Sequence, residues 1–301
     1  MTKSVLIIGG NGYIGSRLIY ELNSTYSTES VDLCWYGKDF KYSCTIDYNN
    51  LTKEYLSKFD TIILLAGHSS VKMCIGDVNS SWNNNVNNFN TLVSKLDKAQ
   101  LLIYASSGSV YGITDVPLAE DVHITFKPIN NYDLTKYSLD LNAQKFIAEG
   151  YNIVGLRFGT VNGWSPNVRE ELMINSMTKR SVETNSLTIN NVDIQRPILG
   201  ITDLTRAIKT IIETPKFGIY NLASFCDTVE NISSNVSQVL HSNVQRTTDV
   251  PNAYNFLMDV NKFKTDYNFM FNDTTTSIVT ELVNKIDTVT FSNRNQYKTY
   301  E

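Results

Sequence analysis

Seven residues near the start of the chain, Gly9-Gly10-Asn11-Gly12-Tyr13-Ile14-Gly15, constrain the fold more than any other stretch. They spell G-x-x-G-x-x-G, directly after the apolar run Val5 to Ile8 and directly before the helically spaced segment Gly15 to Leu22. Glycine lets a backbone turn tightly and come close to a pyrophosphate. The helix that follows offers unpaired N–H groups and the positive end of its dipole. Strand, glycine turn and helix in that order predict a phosphate cradle built from Gly9, Gly12, Tyr13, Ile14 and Gly15.

The rest of the chain repeats the alternation. Apolar runs at Val31 to Trp35, Thr61 to Leu65, Leu101 to Tyr104 and Ile153 to Leu156 read as buried parallel strands. Between them, Asn83 to Leu96 and Tyr132 to Ala148 have helical spacing. This is the pattern of an α/β protein with a doubly wound parallel sheet that binds a dinucleotide. Past Gly163 the regularity loosens, the run Ile219 to Leu222 adds one more candidate strand, and Val229 to Leu240 and Thr275 to Ile286 read as helices of a smaller C-terminal unit. The division expected is a dinucleotide-binding domain over 1–165, rejoined by about 197–223, and a substrate-binding domain over 166–196 and 224–301.

Composition narrows the partners. A chain of 301 residues with 42% hydrophobic and 19% charged residues suits a packed globular enzyme, and a net charge of -4 leaves no basic surplus for nucleic acid or an anionic membrane. No apolar stretch reaches membrane-spanning length and no leader-like segment opens the chain, so a cytoplasmic location is expected. The four cysteines, Cys34, Cys44, Cys74 and Cys226, show no C-x-x-C spacing and read as buried thiols, and the three histidines are isolated. No metal site is expected.

In a dinucleotide fold an acidic side chain at the end of the second strand accepts the ribose hydroxyls. Here Trp35-Tyr36-Gly37-Lys38 reads as that strand's end, with Asp32 too early and Asp39 too late. Lys38 is placed to meet a 2′-phosphate, which leaves NAD against NADP open with a lean to NADP.

Tyr132-Asp133-Leu134-Thr135-Lys136 is a Y-x-x-x-K, and four-residue spacing puts phenol and ammonium on one helix face. A phenol titrates near 10, so a tyrosine acting as base near neutrality needs a neighbouring cation, which Lys136 supplies. Upstream, Ala105-Ser106-Ser107-Gly108-Ser109-Val110-Tyr111-Gly112 places hydroxyls at the carboxyl end of a strand, where open α/β sheets bind ligands.

With these residues in order, the chain resembles the NAD-dependent epimerase/dehydratase family, the extended short-chain dehydrogenases that act on nucleotide sugars. Further similarity lies in Ile46-Asp47-Tyr48, Leu65-Ala66-Gly67-His68-Ser69-Ser70-Val71, Asn85-Val86, Leu156 to Gly163, and Arg196 to Leu204. The resemblance implies a Rossmann fold of the extended type and a homodimer acting on a nucleotide-activated sugar. It implies that Asp47 and Tyr48 contact adenine, that Leu65, Ala66 and Gly67 line the cofactor, and that His68, Ser107, Gly108, Ser109, Asn162 and Arg196 face substrate, with Arg196 at its diphosphate. It further implies that Tyr132 exchanges the proton of a sugar hydroxyl, Lys136 holds the nicotinamide ribose, and Ser107 binds the reacting oxygen.

Asn162 and Thr160 depart from the residues the family often carries, so the sugar is not inherited from the resemblance. At Gly108 and Ser109 the family's 4,6-dehydratases carry Asp-Glu, and this chain has neither, which argues against dehydration. The expected activity is a nucleotide-sugar epimerase, or a ketosugar reductase or dehydrogenase. The alternative is a non-catalytic nucleotide sensor on the same fold, which would have little need of Ser107, Tyr132 and Lys136 together.

Overall fold

The computed structural model describes residues 2–36, 43–121, 129–248, 250, 254–288 and 290–292. The first strand, β1 (Ser4–Ile8), shows how the core is organised. Side chains alternate across a strand. Val5 and Ile7 enter one apolar cluster, Leu6 and Ile8 another on the opposite face.

Seven parallel strands form the sheet. They are β1, β2 (Ser27–Asp32), β3 (Ser43–Thr45), β4 (Thr61–Leu64), β5 (Leu101–Ser107), β6 (Ile153–Phe158) and β11 (Gly218–Leu222), in the order β11-β6-β5-β4-β1-β2-β3. Strand order reverses between β1 and β4, the place where doubly wound sheets open a crevice at their carboxyl ends. One face is covered by α1 (Tyr13–Leu22) and α8 (Ile201–Glu213), through Leu18, Ile19, Leu22, Ile208 and Ile211. The other is covered by α5 (Asn88–Lys95) and α6 (Asn131–Ala148), through Phe89, Leu92, Val93, Leu139 and Ala143. The short helices α2 (Lys53–Leu56), α3 (Val71–Gly76) and α4 (Val78–Trp82) lie along the chain between β3 and α5, and a π-turn over Asn83–Asn87 joins α4 to α5. Asp77 caps α4 by accepting from the Ser80 amide at 2.9 Å, and the helix expected over Asn83 to Leu96 is present as the π-turn followed by α5.

Three smaller sheets follow. β7 (Thr160–Asn162), β10 (Gln195–Gly200) and β12 (Phe225–Thr228) form one, β9 (Ser186–Ile189) and β13 (Asn243–Arg246) a second, and β8 (Asn167–Arg169) and β14 (Thr290–Ser292) a third. A third apolar cluster joins α7 (Met173–Thr184), α9 (Val229–Leu240) and α11 (Thr275–Asn284) through Ile174, Ile232, Val236, Ile278 and Leu282. One further helix, α10 (Asn261–Tyr267), inserts Phe263 into the main core.

Two expectations are corrected. The second strand is Ser27–Asp32 and ends before the run Val31 to Trp35 does: Leu33 is exposed and Cys34 has a φ of 58°. Cys34 and Cys74 are buried thiols, but Cys226 is exposed. Among the described residues no helix is long and apolar enough to cross a membrane, and no group of His, Cys, Asp or Glu is assembled to hold a metal.

Candidate active site

At the switch point the sheet opens into a cavity of about 400 Å³. Its floor is the glycine turn. Gly9 has a φ of 96°, and a Cβ there would lie 2.6 Å from the Ala66 nitrogen; one at Gly15 would lie 2.1 Å from the Gly9 carbonyl. Glycine is therefore demanded by close approach as well as by φ. Gly12 precedes the first turn of α1, whose amides point towards the cavity mouth, and Gly9, Gly12, Tyr13, Ile14 and Gly15 all line it. The Tyr13 hydroxyl turns away and donates to the Gly163 carbonyl at 2.8 Å.

Asp32, the last residue of β2, also lines the cavity, and its carboxylate accepts from the Asn11 amide at 2.8 Å and the Cys34 amide at 2.7 Å. Asp32 thus ends the second strand, and the expectation that it comes too early for the strand's end is overturned. Lys38 lies outside the described residues. Tyr48 lines the cavity with its hydroxyl on the Asn84 carbonyl at 2.7 Å, and Leu65, Ala66 and Gly67 complete that side. Asp47 does not reach it: the carboxylate caps a short 3-10 turn by accepting from the Asn49 amide at 2.9 Å.

Opposite the glycines, β5 ends in Ser107 and α6 begins with Tyr132 and Lys136, all three on the cavity wall. Lys136 is buried, donates from Nζ to the Ala105 carbonyl at 2.9 Å, and sits 6.0 Å from the centre of the Tyr132 ring. Burial brings its pKa down to about 8. Burial also raises the Tyr132 phenol above its ordinary value, while the Ser107 hydroxyl and the Arg169 guanidinium work against the rise. The helix is anchored from below: Asp140 accepts from Tyr104 at 2.9 Å and pairs with Arg157 at 2.7 Å, all buried.

The expected substrate residues divide. Ser107 and Ser109 line the cavity, their hydroxyls 2.9 Å apart. Gly108 lies behind them, where a Cβ would meet the Met258 sulfur at 2.1 Å. His68 is buried off the cavity, held by its amide on Asn85 Oδ1 at 2.8 Å and by an edge contact with Trp35. Asn162 is fully buried and serves α7 instead, its side-chain oxygen accepting from the Ile174 amide at 2.9 Å. Arg196 lies between the Tyr254 and Phe256 rings, 5.6 Å from each centre, and donates to the Tyr254 carbonyl. Of that group only Phe256 reaches the cavity. The segment carrying it is tied back by Thr114 N to Asn255 O at 3.1 Å and Asp259 N to Leu118 O at 3.0 Å.

Two cavity residues were not singled out in the sequence. Arg169, at the end of β8, donates to the Ser69 carbonyl at 3.1 Å and pairs with Glu171 at 2.6 Å, with no motif around it. Asn11 lies inside the glycine motif and could have been singled out as its polar side chain.

These residues fit a dinucleotide. Asn11 Oδ1 and Ser106 Oγ, buried on the cavity wall, have no hydrogen-bond partner within the protein. The glycine cradle leaves room that any Cβ would fill, and Asp32 suits ribose hydroxyls.

The profile of the NAD dependent epimerase/dehydratase family matches residues 5–223. Protein CapI of Staphylococcus aureus is 28% identical over 70% of this chain and 70% of its own. A UDP-glucose 4-epimerase of Lactobacillus helveticus is 30% identical over 54% of this chain and 52% of its own. Among solved structures, the NAD dependent NDP-hexosamine 5,6-dehydratase TunA superposes with a TM-score of 0.84 at 18% identity, covering 95% of this chain and 98% of TunA. The chain belongs to the NAD dependent epimerase/dehydratase family, and NAD is the cofactor of that family.

Proposed function

We propose that this member of the family is an NAD-dependent nucleotide-sugar epimerase, oxidising and re-reducing one carbon of an activated hexose. One observation carries the reading: Ser107, Tyr132 and Lys136 open onto the same cavity as the glycine cradle. The 30%-identical relative named as a UDP-glucose 4-epimerase supports it.

NAD, when bound, supplies the hydride acceptor. Gly9, Gly12 and the first amides of α1 hold its diphosphate, Asp32 its adenosine ribose, and Tyr48 with Ala66 the adenine side. Asp32 also works against NADP, because a carboxylate repels a 2′-phosphate. Lys136 keeps one donor on the Ala105 carbonyl and turns the others to the nicotinamide ribose. Tyr132 takes the proton of the sugar hydroxyl and later returns it, and Ser107 donates to the oxygen of that carbon. Arg169 faces the same end of the cavity and lowers the cost of the Tyr132 phenolate. We place the sugar nucleotide against residues 166–196 and 224–301, with Arg196 and Phe256 on its side of the cavity. Exposed Ile75, Val78 and Leu141 on α3, α4 and α6 support a homodimer.

We further propose that the enzyme does not eliminate water. Elimination from a 4-keto sugar needs an acid and a base at the sugar. Among the described lining residues Asp32 is the one carboxylate, and it stands at the far, ribose end. Glu171 is paired with Arg169, Glu170 with Lys179 at 3.7 Å, and Glu120 with the Asn221 amide at 2.6 Å.

The test incubates the protein and NAD with UDP-glucose, UDP-galactose, UDP-glucuronic acid and UDP-N-acetylglucosamine, with products identified by NMR. An inverted hydroxyl without added reductant is expected. Conversion only with stoichiometric NADH would make it a reductase, a 4-keto-6-deoxy product would make it a dehydratase, and no conversion with NAD bound would favour a sensor.

A further inference from the structure

Directly after Tyr132, on the first turn of α6, stands a carboxyl group with no evident task. Asp133 is 1% exposed. Its Oδ2 accepts from Asn130 Nδ2 at 2.8 Å, and its backbone amide donates to Asn130 Oδ1 at 3.0 Å, so the Asn130 cap fixes the side chain. Its Oδ1 is buried and has no hydrogen-bond partner in the protein. A buried carboxylate oxygen without a donor is costly, and the cost falls if that oxygen carries a proton.

The Ser109 hydroxyl stands near enough to the carboxyl to favour its ionised form, as do the Ile129 backbone and the Asn130 side chain. Ser109 in turn is 2.9 Å from Ser107, hydroxyl to hydroxyl, and its amide donates to Ser107 Oγ at 3.2 Å. Asp133, Ser109 and Ser107 thus run in file from the interior of α6 to the cavity wall. Hydroxyls both donate and accept, so such a file has two directions, chosen by the group at its closed end.

We propose that Asp133 is a positioning residue whose protonation state sets the direction of the Ser109–Ser107 hydroxyl chain, and so whether Ser107 offers its proton to the reacting oxygen. With Oδ1 protonated, Asp133 donates to Ser109, Ser109 donates to Ser107, and the Ser107 proton is left for the substrate. With Oδ1 ionised, Ser109 donates to the carboxylate, its oxygen becomes an acceptor, and the Ser107 proton is drawn back from the cavity. Passing from one state to the other takes up or releases one solvent proton at Asp133, and the hydroxyls themselves only reorient.

The surroundings keep the first state accessible. The titratable groups facing Asp133 among the described residues are Tyr132 on its own helix, Cys74 from α3 and Tyr254 from the segment over the cavity. All three are raised by burial and neutral near pH 7, and the Lys136 ammonium stands one turn further along the same helix. Burial also raises the Asp133 carboxyl from its ordinary value, outweighing Ser109, the Ile129 backbone and Asn130, which act the other way.

The inference rests on the epimerase reading for its kinetic arm and not for its spectroscopic one. In the NAD-loaded protein, the infrared carbonyl stretch of a protonated carboxyl should persist above the pH where ordinary aspartates ionise, about 4. It should vanish in Asp133→Asn and shift in Ser109→Ala. With UDP-glucose and UDP-glucuronic acid as probes, wild-type kcat should fall as pH rises through the titration of that band. Asp133→Asn, whose amide donates to Ser109 at every pH, should lose this limb while keeping those of Tyr132 and Lys136. Asp133→Ala should turn over about tenfold slower at all pH, the loss of one positioning hydrogen bond, and asparagine should rescue it. Adding Ser109→Ala to Asp133→Ala should cost nothing further. A band already gone by pH 5, or a limb that survives in Asp133→Asn, overturns the proposal. If neither probe is turned over while the band behaves as described, the epimerase reading fails and the coupling of Asp133 to Ser109 stands.

Discussion

Replacing Lys136 by methionine should stabilise the fold at neutral pH while destroying activity. Burial has brought this ammonium from 10.5 down to about 8, so the folded state holds the proton more weakly than the unfolded chain does. Below pH 8 both states are protonated and the fold carries a buried charge at a cost. Between the two values the folded state releases its proton first, and the cost shrinks as pH rises; above the unfolded value it is gone. The gap corresponds to roughly 3 kcal/mol at about 1.36 kcal/mol per pH unit. Methionine loses the bond to the Ala105 carbonyl, worth about 1 kcal/mol. The balance is a gain of about 2 kcal/mol at pH 7. Urea unfolding of nucleotide-stripped wild type and Lys136→Met, followed by tryptophan fluorescence from pH 7 to 10, reads it directly. A variant less stable than wild type at pH 7, or an advantage that does not shrink with rising pH, refutes the reasoning.

Tyr132→Phe should lose turnover by at least about a hundredfold with NAD affinity within a few-fold of wild type, measured by calorimetry, since only the proton-transferring oxygen is removed. Asp32→Ser should weaken NAD about tenfold and narrow its advantage over NADP; equal losses for both would remove Asp32 from the ribose. Asn162→Ala should cost about 1–2 kcal/mol of stability by uncapping α7, with KM for the sugar nucleotide unchanged. A raised KM would return Asn162 to the substrate. Gly15→Ala, which forces a Cβ to 2.1 Å from the Gly9 carbonyl, should abolish NAD retention on a desalting column.

The phosphate cradle was legible because its chemistry is local: close approach demands glycine, and a strand and helix flank it. Tyr132 and Lys136 were legible for the same reason, being one helical turn apart. Asp32 was not, because β2 is polar over Ser27 to Ser30 while the exposed Leu33 and turned Cys34 extend its apolar run beyond the true end. His68 and Asn162 sit in motif positions yet face inward, and motif order says nothing of direction. Asp133 was spelled out inside the Y-x-x-x-K and passed over, since only burial and the neighbouring Ser109 give it a part. Arg169 enters the cavity from a strand that pairs with residues 290–292, a tertiary event with no local trace.

The wall that Phe256 closes has a consequence for the chain as it is made. Once α6 has left the ribosome, the cradle, Ser107, Tyr132 and Lys136 are all present and able to dock, yet Asn255, Phe256 and Met258 have not been synthesised. The nascent protein therefore displays an apolar cleft at its switch point until the tie between Leu118 and Asp259 forms. Exposed apolar surface of that kind invites chaperones and aggregation. The wall on the sugar-nucleotide side is thus the last part of the cavity to be completed, when the segment carrying Phe256 docks.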